Sequence, residues 1–210
     1  MNVVAIDGPS GSGKSTVARC LAERLELEYL DTGAMYRAVT FAVLRDALDP
    51  AAHDEVAALA EGLDLVLDGS SVIVDGVDAS TEIRGAAVTA TVSAVSAIPA
   101  VRATMVRRQR DWVDARGGGV VEGRDIGTEV FPDARLKVFL TADLSERAAR
   151  RGEEIGRSDA AAVAVDLVRR DRLDSTRAAS PLKQADDAIV IDTTDRSVEE
   201  IVAELLARLR

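Results

Sequence analysis

The residues Gly8-Pro9-Ser10-Gly11-Ser12-Gly13-Lys14-Ser15 follow the spacing G-x-x-x-x-G-K-S/T. Glycines at such positions let the backbone curl until successive N–H groups converge on one point, and that point suits an anion. A helix that starts at the loop adds the attraction of its dipole. The lysine then reaches the β- and γ-phosphates of a nucleoside triphosphate, and the next hydroxyl, Ser15, is a ligand for the accompanying Mg2+. Glycine-rich turns match this spacing by chance, so the context decides. Val3 to Ile6 is a short apolar run ended by Asp7-Gly8, which predicts a buried strand before the loop. Beyond Thr16, Val17, Leu21, Ala22 and Leu25 recur at helical spacing. Strand, loop and helix in that order make residues 8–16 a candidate cradle for the phosphates of ATP.

The elements that must carry this loop are legible as an alternation. Glu28-Tyr29-Leu30 predicts a second short strand, ended by Asp31-Thr32-Gly33, and residues 34–44 predict a helix. Later apolar runs at Val120-Val121, residues 136–140 and residues 188–191 each precede a helical stretch. Strands alternating with helices imply a parallel sheet with helices on its faces. Residues 60–85 break the pattern: residues 63–67, a turn at Asp68-Gly69-Ser70-Ser71, then Val72 to Val74 and a further turn at Asp75-Gly76 predict an inserted hairpin. Residues 142–177 predict two helices around a polar connection near Gly152-Glu153-Glu154-Ile155-Gly156-Arg157, a candidate mobile flap.

Composition narrows the function. With 210 residues, 47 % of them hydrophobic, the chain can bury a sizeable core. A net charge of −10 argues against a general nucleic-acid or anionic-membrane binder, both of which need a basic field. The cations are nearly all arginine, the lysines being Lys14, Lys137 and Lys183. A planar guanidinium suits phosphate. The single cysteine, Cys20, allows no internal disulfide and falls in a helical pattern as a small core residue. The single histidine, His53, falls in a polar connecting stretch and excludes a multi-histidine site. No signal segment precedes the first strand and no apolar run reaches a membrane-spanning length, so the expectation is a cytoplasmic monomer without membrane or nucleic-acid partners.

A phosphate loop does not by itself specify transfer. No Asn-Lys-x-Asp guanine reader is present, which disfavours a GTPase. Downstream arginines favour a small anionic acceptor: Arg37 in the first turns after the second strand, Arg102 after Pro99, and Arg124 with Asp125 just after a buried strand, where open α/β sheets bind ligands. Arg170, Asp174 and Arg177 are spaced i, i+4 and i+7, either a ligand-binding helix face or a solvated ladder of salt bridges. A monophosphate acceptor carries about −1.5 to −2 charge and needs no general base, so its transfer chemistry is positioning and charge stabilisation.

Four motifs then occur in order: residues 8–16, Leu30-Asp31-Thr32-Gly33-Ala34-Met35-Tyr36-Arg37, Gly123-Arg124-Asp125-Ile126-Gly127-Thr128 and Asp174-Ser175-Thr176-Arg177. Together they resemble the motif series of bacterial cytidylate kinases, from Val4 to about Ile191. The resemblance implies a three-layer α/β/α P-loop fold with a parallel five-stranded sheet. The core would be about residues 1–35, 98–145 and 178–210, the hairpin-containing monophosphate lobe about 36–97, and a short helical lid about 146–177. It implies transfer of the γ-phosphoryl group of ATP, with Mg2+, to CMP and dCMP. Thr32, Arg37, Arg124 and Arg177 match positions that hold the monophosphate, Ser93, Arg102 and Asp125 those that read cytosine, and Arg170 and Asp174 those near the ribose. Lys14, Arg124 and Arg177 would carry catalysis. Among Arg147, Arg150, Arg151 and Arg157, the residue expected to close over ATP is Arg157, between Gly156 and Ser158. Glu122, where relatives commonly carry Asp, and Ser180, in place of Ala, depart from the pattern, and neither is expected to touch a residue in these roles. Competing readings are a P-loop kinase for UMP, shikimate or gluconate, and an ATP-binding regulator that transfers nothing.

Overall fold

Asn2–Asp7 (β1) is buried from its second residue onward, as an apolar strand must be when a sheet is covered on both faces. In the computed structural model, which describes residues 2–69 and 71–209, the chain divides into two compact units. One comprises Met1–Leu30 and Val113–Arg210, the other Asp31–Trp112.

The first unit carries β1, α1 (Lys14–Leu25), β6 (Gly118–Gly123), a π-helical turn (Ile126–Val130), β7 (Leu136–Thr141), α6 (Leu144–Ile155), α7 (Ala160–Thr176), β8 (Ile189–Asp192) and α8 (Val198–Arg208). With β2 (Tyr29–Asp31) at one edge, the five-stranded sheet runs β2-β6-β1-β7-β8, and β1 pairs in parallel with both β6 and β7. Val17, Ala18, Leu21 and Ala22 of α1 and Ile201, Val202 and Leu205 of α8 share a core with Val4, Ile6, Val120, Val138 and Leu140 of the strands. Ser197 and Glu200 form a reciprocal cap at the start of α8, which satisfies two otherwise orphaned amides. Cys20 packs half-buried against this core.

The second unit begins at α2 (Thr32–Arg45), which starts two residues before the expected helix because the Asp31 side chain accepts the Ala34 amide and caps it. There follow α3 (His53–Gly62), β3 (Leu65–Asp68), β4 (Ser71–Val74), β5 (Val77–Asp78), a 3-10 turn (Glu82–Arg84), α4 (Ala86–Val95) and α5 (Pro99–Arg116), which runs four residues past the unit boundary. The expected hairpin is present as antiparallel β3 and β4, although Ser70 in its turn lies outside the described residues. A third strand, β5, was not expected, being two residues long. His53 opens a helix instead of lying in a connection. The run at Val120-Val121 leads to a single π-helical turn, not a regular helix. The connection between α6 and α7 is shorter than expected: Gly152 is helical, and the chain folds back so that the Arg157 amide donates to the Gly152 carbonyl at 2.9 Å. Among the described residues no single helix is long and apolar enough to cross a membrane.

Candidate active site

The strand register sets up the site in the first unit. Ile6 lies beside Glu122 and Asp7 beside Gly123, so the phosphate loop and the Arg124-Asp125 segment leave the same end of the sheet from neighbouring strands. That end is where parallel sheets bind ligands.

The loop requires glycine where it is pressed closest. At Gly8, with φ +150°, a Cβ would lie 2.2 Å from the Leu140 carbonyl oxygen. At Gly11, with φ +78°, it would lie 2.7 Å from the Arg147 carbonyl oxygen. Inside the curl, the buried Lys14 ammonium donates to the Pro9 carbonyl at 2.7 Å and the Ser12 hydroxyl to the same oxygen at 3.0 Å. Outside it, Thr193 Oγ1 donates to the Ser12 carbonyl and Arg147 Nη1 to the Ser10 carbonyl. Ser15 and Thr16 are exposed on the first turn of α1.

A charged cluster stands with the loop in this unit. Asp174 is buried; it accepts Arg124 Nε at 2.9 Å and lies 3.9 Å from Arg177 Nη1. Arg177 Nη2 lies 3.8 Å from the buried Asp125 carboxylate. The solvated-ladder reading of Arg170, Asp174 and Arg177 therefore fails, since Asp174 reaches across to another element. The helical spacing also stops short: α7 ends at Thr176, and Arg177 has extended backbone. Burial works against the Arg124 charge, but Asp174, with Asp171 and Glu122, outweighs it and raises the guanidinium above its ordinary value. Burial likewise disfavours the Asp174 carboxylate, yet Arg124 and Arg170 hold it below the usual range.

Lys14 responds to this cluster. Burial, then repulsion from Arg124 and Arg170, lowers its pKa to about 7 against the attraction of Glu122 and Asp7. Glu122, buried and hydrogen-bonded by the Tyr29 hydroxyl, thus acts electrostatically on Lys14, one of the residues expected to carry catalysis. Ser180, contrary to the expectation for it, touches one of the expected site residues: its carbonyl accepts Arg177 Nε at 2.6 Å. Of the four arginines considered for closing over ATP, Arg147 and Arg150 stand against the loop, Arg150 Nη1 lying 3.6 Å from the position a Gly13 Cβ would occupy. Arg147 also pairs with Asp171 at 2.5 Å, and Arg151 pairs with Glu154. Arg157 is instead in an exposed pair with Asp166, and the structure does not bring it to the loop.

The second unit gathers the other expected residues. Thr32 is buried at the start of α2. Buried Arg37 donates to the Ile83 carbonyl at 3.0 Å and to Thr89 Oγ1 at 2.9 Å. Buried Arg102 donates to the Ser96 carbonyl at 3.2 Å and lies over the Tyr36 ring at 5.1 Å, a cation–π distance. Ser93 is half-buried on α4, and its carbonyl accepts the Ser96 hydroxyl.

Sequence reasoning missed Thr89, which holds Arg37, Asp171, which holds Arg147, and Asp7. The Asp7 carboxylate is buried and accepts the Ile126 and Gly127 amides, both at 2.8 Å. Burial raises its pKa to about 6 despite these bonds. An acid at the very end of a buried strand was the available signal.

The family described as "Cytidylate kinase" matches residues 4–210. The chain is 51 % identical to a cytidylate kinase of Rhodococcus opacus (strain B4), covering 97 % of this chain and 93 % of that protein. It is 50 % identical to a cytidylate kinase of Mycobacterium avium (strain 104), covering 97 % and 92 %. Among solved structures it resembles a gluconokinase from Sinorhizobium meliloti 1021, with TM-score 0.53, 16 % identity and coverage of 99 % and 91 %. An uncharacterized protein from Eubacterium ventriosum ATCC 27560 gives TM-score 0.55 at 14 % identity, covering 100 % and 98 %. At such identities the structural likeness speaks for the fold.

Proposed function

The chain belongs to the cytidylate kinase family, and from that premise we propose that it transfers the γ-phosphoryl group of ATP to CMP, and to dCMP as well, releasing ADP. One observation carries the chemistry: Lys14 of the phosphate loop lies within electrostatic reach of Arg124 and Arg170, so cations suited to the donor and the acceptor meet in one unit. An oxygen of the CMP phosphate bonds to the γ-phosphorus as the bond to the β,γ-bridging oxygen breaks, in line. The acceptor is already an anion, so no general base is needed. Lys14, Arg124 and Arg177 spread the charge of the transferring group.

In this reading, which follows the family resemblance, Thr32, Arg37, Arg124 and Arg177 are the residues assigned to the CMP phosphate. Asp125 accepts the cytosine N4 amino group, and Arg102 and Ser93 serve N3 and O2. Uracil reverses the donor and acceptor at positions 3 and 4, so Asp125 would face a carbonyl oxygen and lose its bond. Asp174 and Arg170 bear on the ribose. Residues 8–16 cradle the ATP phosphates, with Arg157 joining them if its pair with Asp166 opens.

For Mg2+ the donor chemistry fits. Among the described residues there is no cluster of three or more acidic, histidine or cysteine ligands. Mg2+ needs no such cage when phosphate oxygens and a hydroxyl supply its hard ligands. The exposed Ser15 hydroxyl would hold it, and it would neutralise oxygens of the triphosphate. Since substrate closure needs no second copy, we take the working form to be a monomer, and its compartment to be the cytoplasm.

The test is ADP release from ATP with purified protein offered CMP, dCMP, UMP, AMP, shikimate and gluconate in turn. CMP and dCMP should be strongly preferred. Equal rates with UMP or AMP would defeat the base assignment, and no turnover with any acceptor would defeat the enzyme.

A further inference from the structure

Asp125 is held from both sides. Before it, Gly123 is fixed beside Asp7 in the parallel pairing of β1 and β6. After it, the Ile126 and Gly127 amides both end on the Asp7 carboxylate. Its own carbonyl accepts the Glu129 amide at 2.9 Å, the Val130 amide at 3.3 Å and Thr128 Oγ1 at 3.3 Å. Asp125 itself, at φ −144°, ψ 24°, is the single step between the end of β6 and the π-helical turn. The first two amides of that turn are anchored by a side chain 119 and 120 residues away.

The chemistry of the clamp is specific. Two converging N–H donors need two acceptor oxygens, which a carboxylate has and a carboxamide lacks. A Cβ on Gly127 would lie in ordinary contact with Asp7 Oδ2, at 3.4 Å, and would press on the Lys137 stem at 3.2 Å. We propose that Asp7 is a positioning residue for base selection: by holding the Ile126 and Gly127 amides, it fixes the backbone from which Asp125 reads cytosine. This rests on the reading of Asp125 given above. Because Asp7 is also the residue before Gly8, the one side chain ties base selection to the root of the phosphate loop.

The experiment measures kcat and KM for CMP and UMP in Asp7→Asn, Gly127→Ala and Asp125→Ala, with melting curves for each. Asp7→Asn leaves one amide facing an NH2 group. We expect the CMP-over-UMP ratio of kcat/KM to fall about tenfold, mostly through KM for the monophosphate; a rise in KM for ATP from the lost attraction of Asp7 for Lys14 is common to both acceptors and cancels in the ratio. Gly127→Ala keeps the carboxylate but presses the Gly127 backbone against the Lys137 stem, and should shift the ratio in the same direction. It decides the matter if Asp7→Asn does not fold. A purely structural role would lower the melting temperature and the active fraction equally for both substrates and leave the ratio unchanged. If Asp125→Ala loses the preference while both clamp variants keep it, the role of Asp7 is overturned and the reading of Asp125 stands. If Asp125→Ala keeps the preference, that reading fails and the role of Asp7 fails with it.

Discussion

Binding of ATP should draw a proton onto Lys14. With only protein groups around it, burial and the charges of Arg124 and Arg170 lower its pKa from 10.5 to about 7. A triphosphate brings negative charge to the same point and restores the ammonium, so the pKa in the complex exceeds the starting one. The sign follows: affinity is at its fullest below pH 7 and declines as pH rises above it. At pH 8, one unit above, roughly a tenth of the protein carries the charge before ATP is added. Binding should then take up about 0.9 proton and be weaker by about 1.4 kcal/mol, tenfold in Kd, than with a permanently charged side chain. Calorimetric titration with ATP in EDTA, in two buffers of different ionisation enthalpy at pH 8, reads the proton number directly. At that pH a phosphate ionisation near 6 is complete and contributes little. Lys14→Arg is the control, since arginine does not titrate in this range and its proton uptake should vanish. A proton number near zero in the wild type, or an undiminished one in Lys14→Arg, would refute the assignment.

Two further outcomes follow from the same cluster and loop. Asp174→Asn removes the carboxylate that Arg124 is buried with, and should cost about 3 kcal/mol, a drop in Tm of about 6–12 °C by calorimetry. Because the arginines hold Asp174 below its ordinary 3.8, the wild-type advantage should be intact at pH 7 and disappear as pH falls below that value; an advantage persisting in strong acid would count against the pair. Gly8→Ala places a Cβ 2.2 Å from the Leu140 carbonyl in a left-handed backbone, and should abolish ATP binding in equilibrium dialysis while far-UV circular dichroism stays native. Retained binding would mean the loop can open at that point.

What was legible in the sequence is what lies consecutively along the chain. Residues 8–16 carry their own chemistry and context, and the buried runs at Val3 to Ile6 and residues 136–140 could only be interior strands. Arg124 and Asp125 could be singled out because they follow a strand directly. The relations that escaped are between side chains far apart in sequence. Nothing near Asp7 announces that its partners are the amides of Ile126 and Gly127, and nothing near Glu122 announces Tyr29, 93 residues before it. Spacing misled at Arg177, because i+7 presumes a helix that ends one residue earlier. Ser180, at φ 49°, turns its carbonyl back onto that arginine, which no pattern of residue types foretells. For the arginines considered for closing over ATP, composition offered four equivalent charges, and only their partners tell Arg147 and Arg150 from Arg157.

The brace around the phosphate loop bears on how the chain acquires its activity during synthesis. The loop precedes in the chain the residues that hold its carbonyls: Ser10 is held by Arg147, and Ser12 by Thr193, which Arg150 in turn grips through both its hydroxyl and its carbonyl. A nascent chain that has not yet emitted β8 therefore has the complete motif without the scaffold that shapes it. Nucleotide capture should wait until Thr193 has emerged, so a truncated product ending before it would be a poor competitor for ATP.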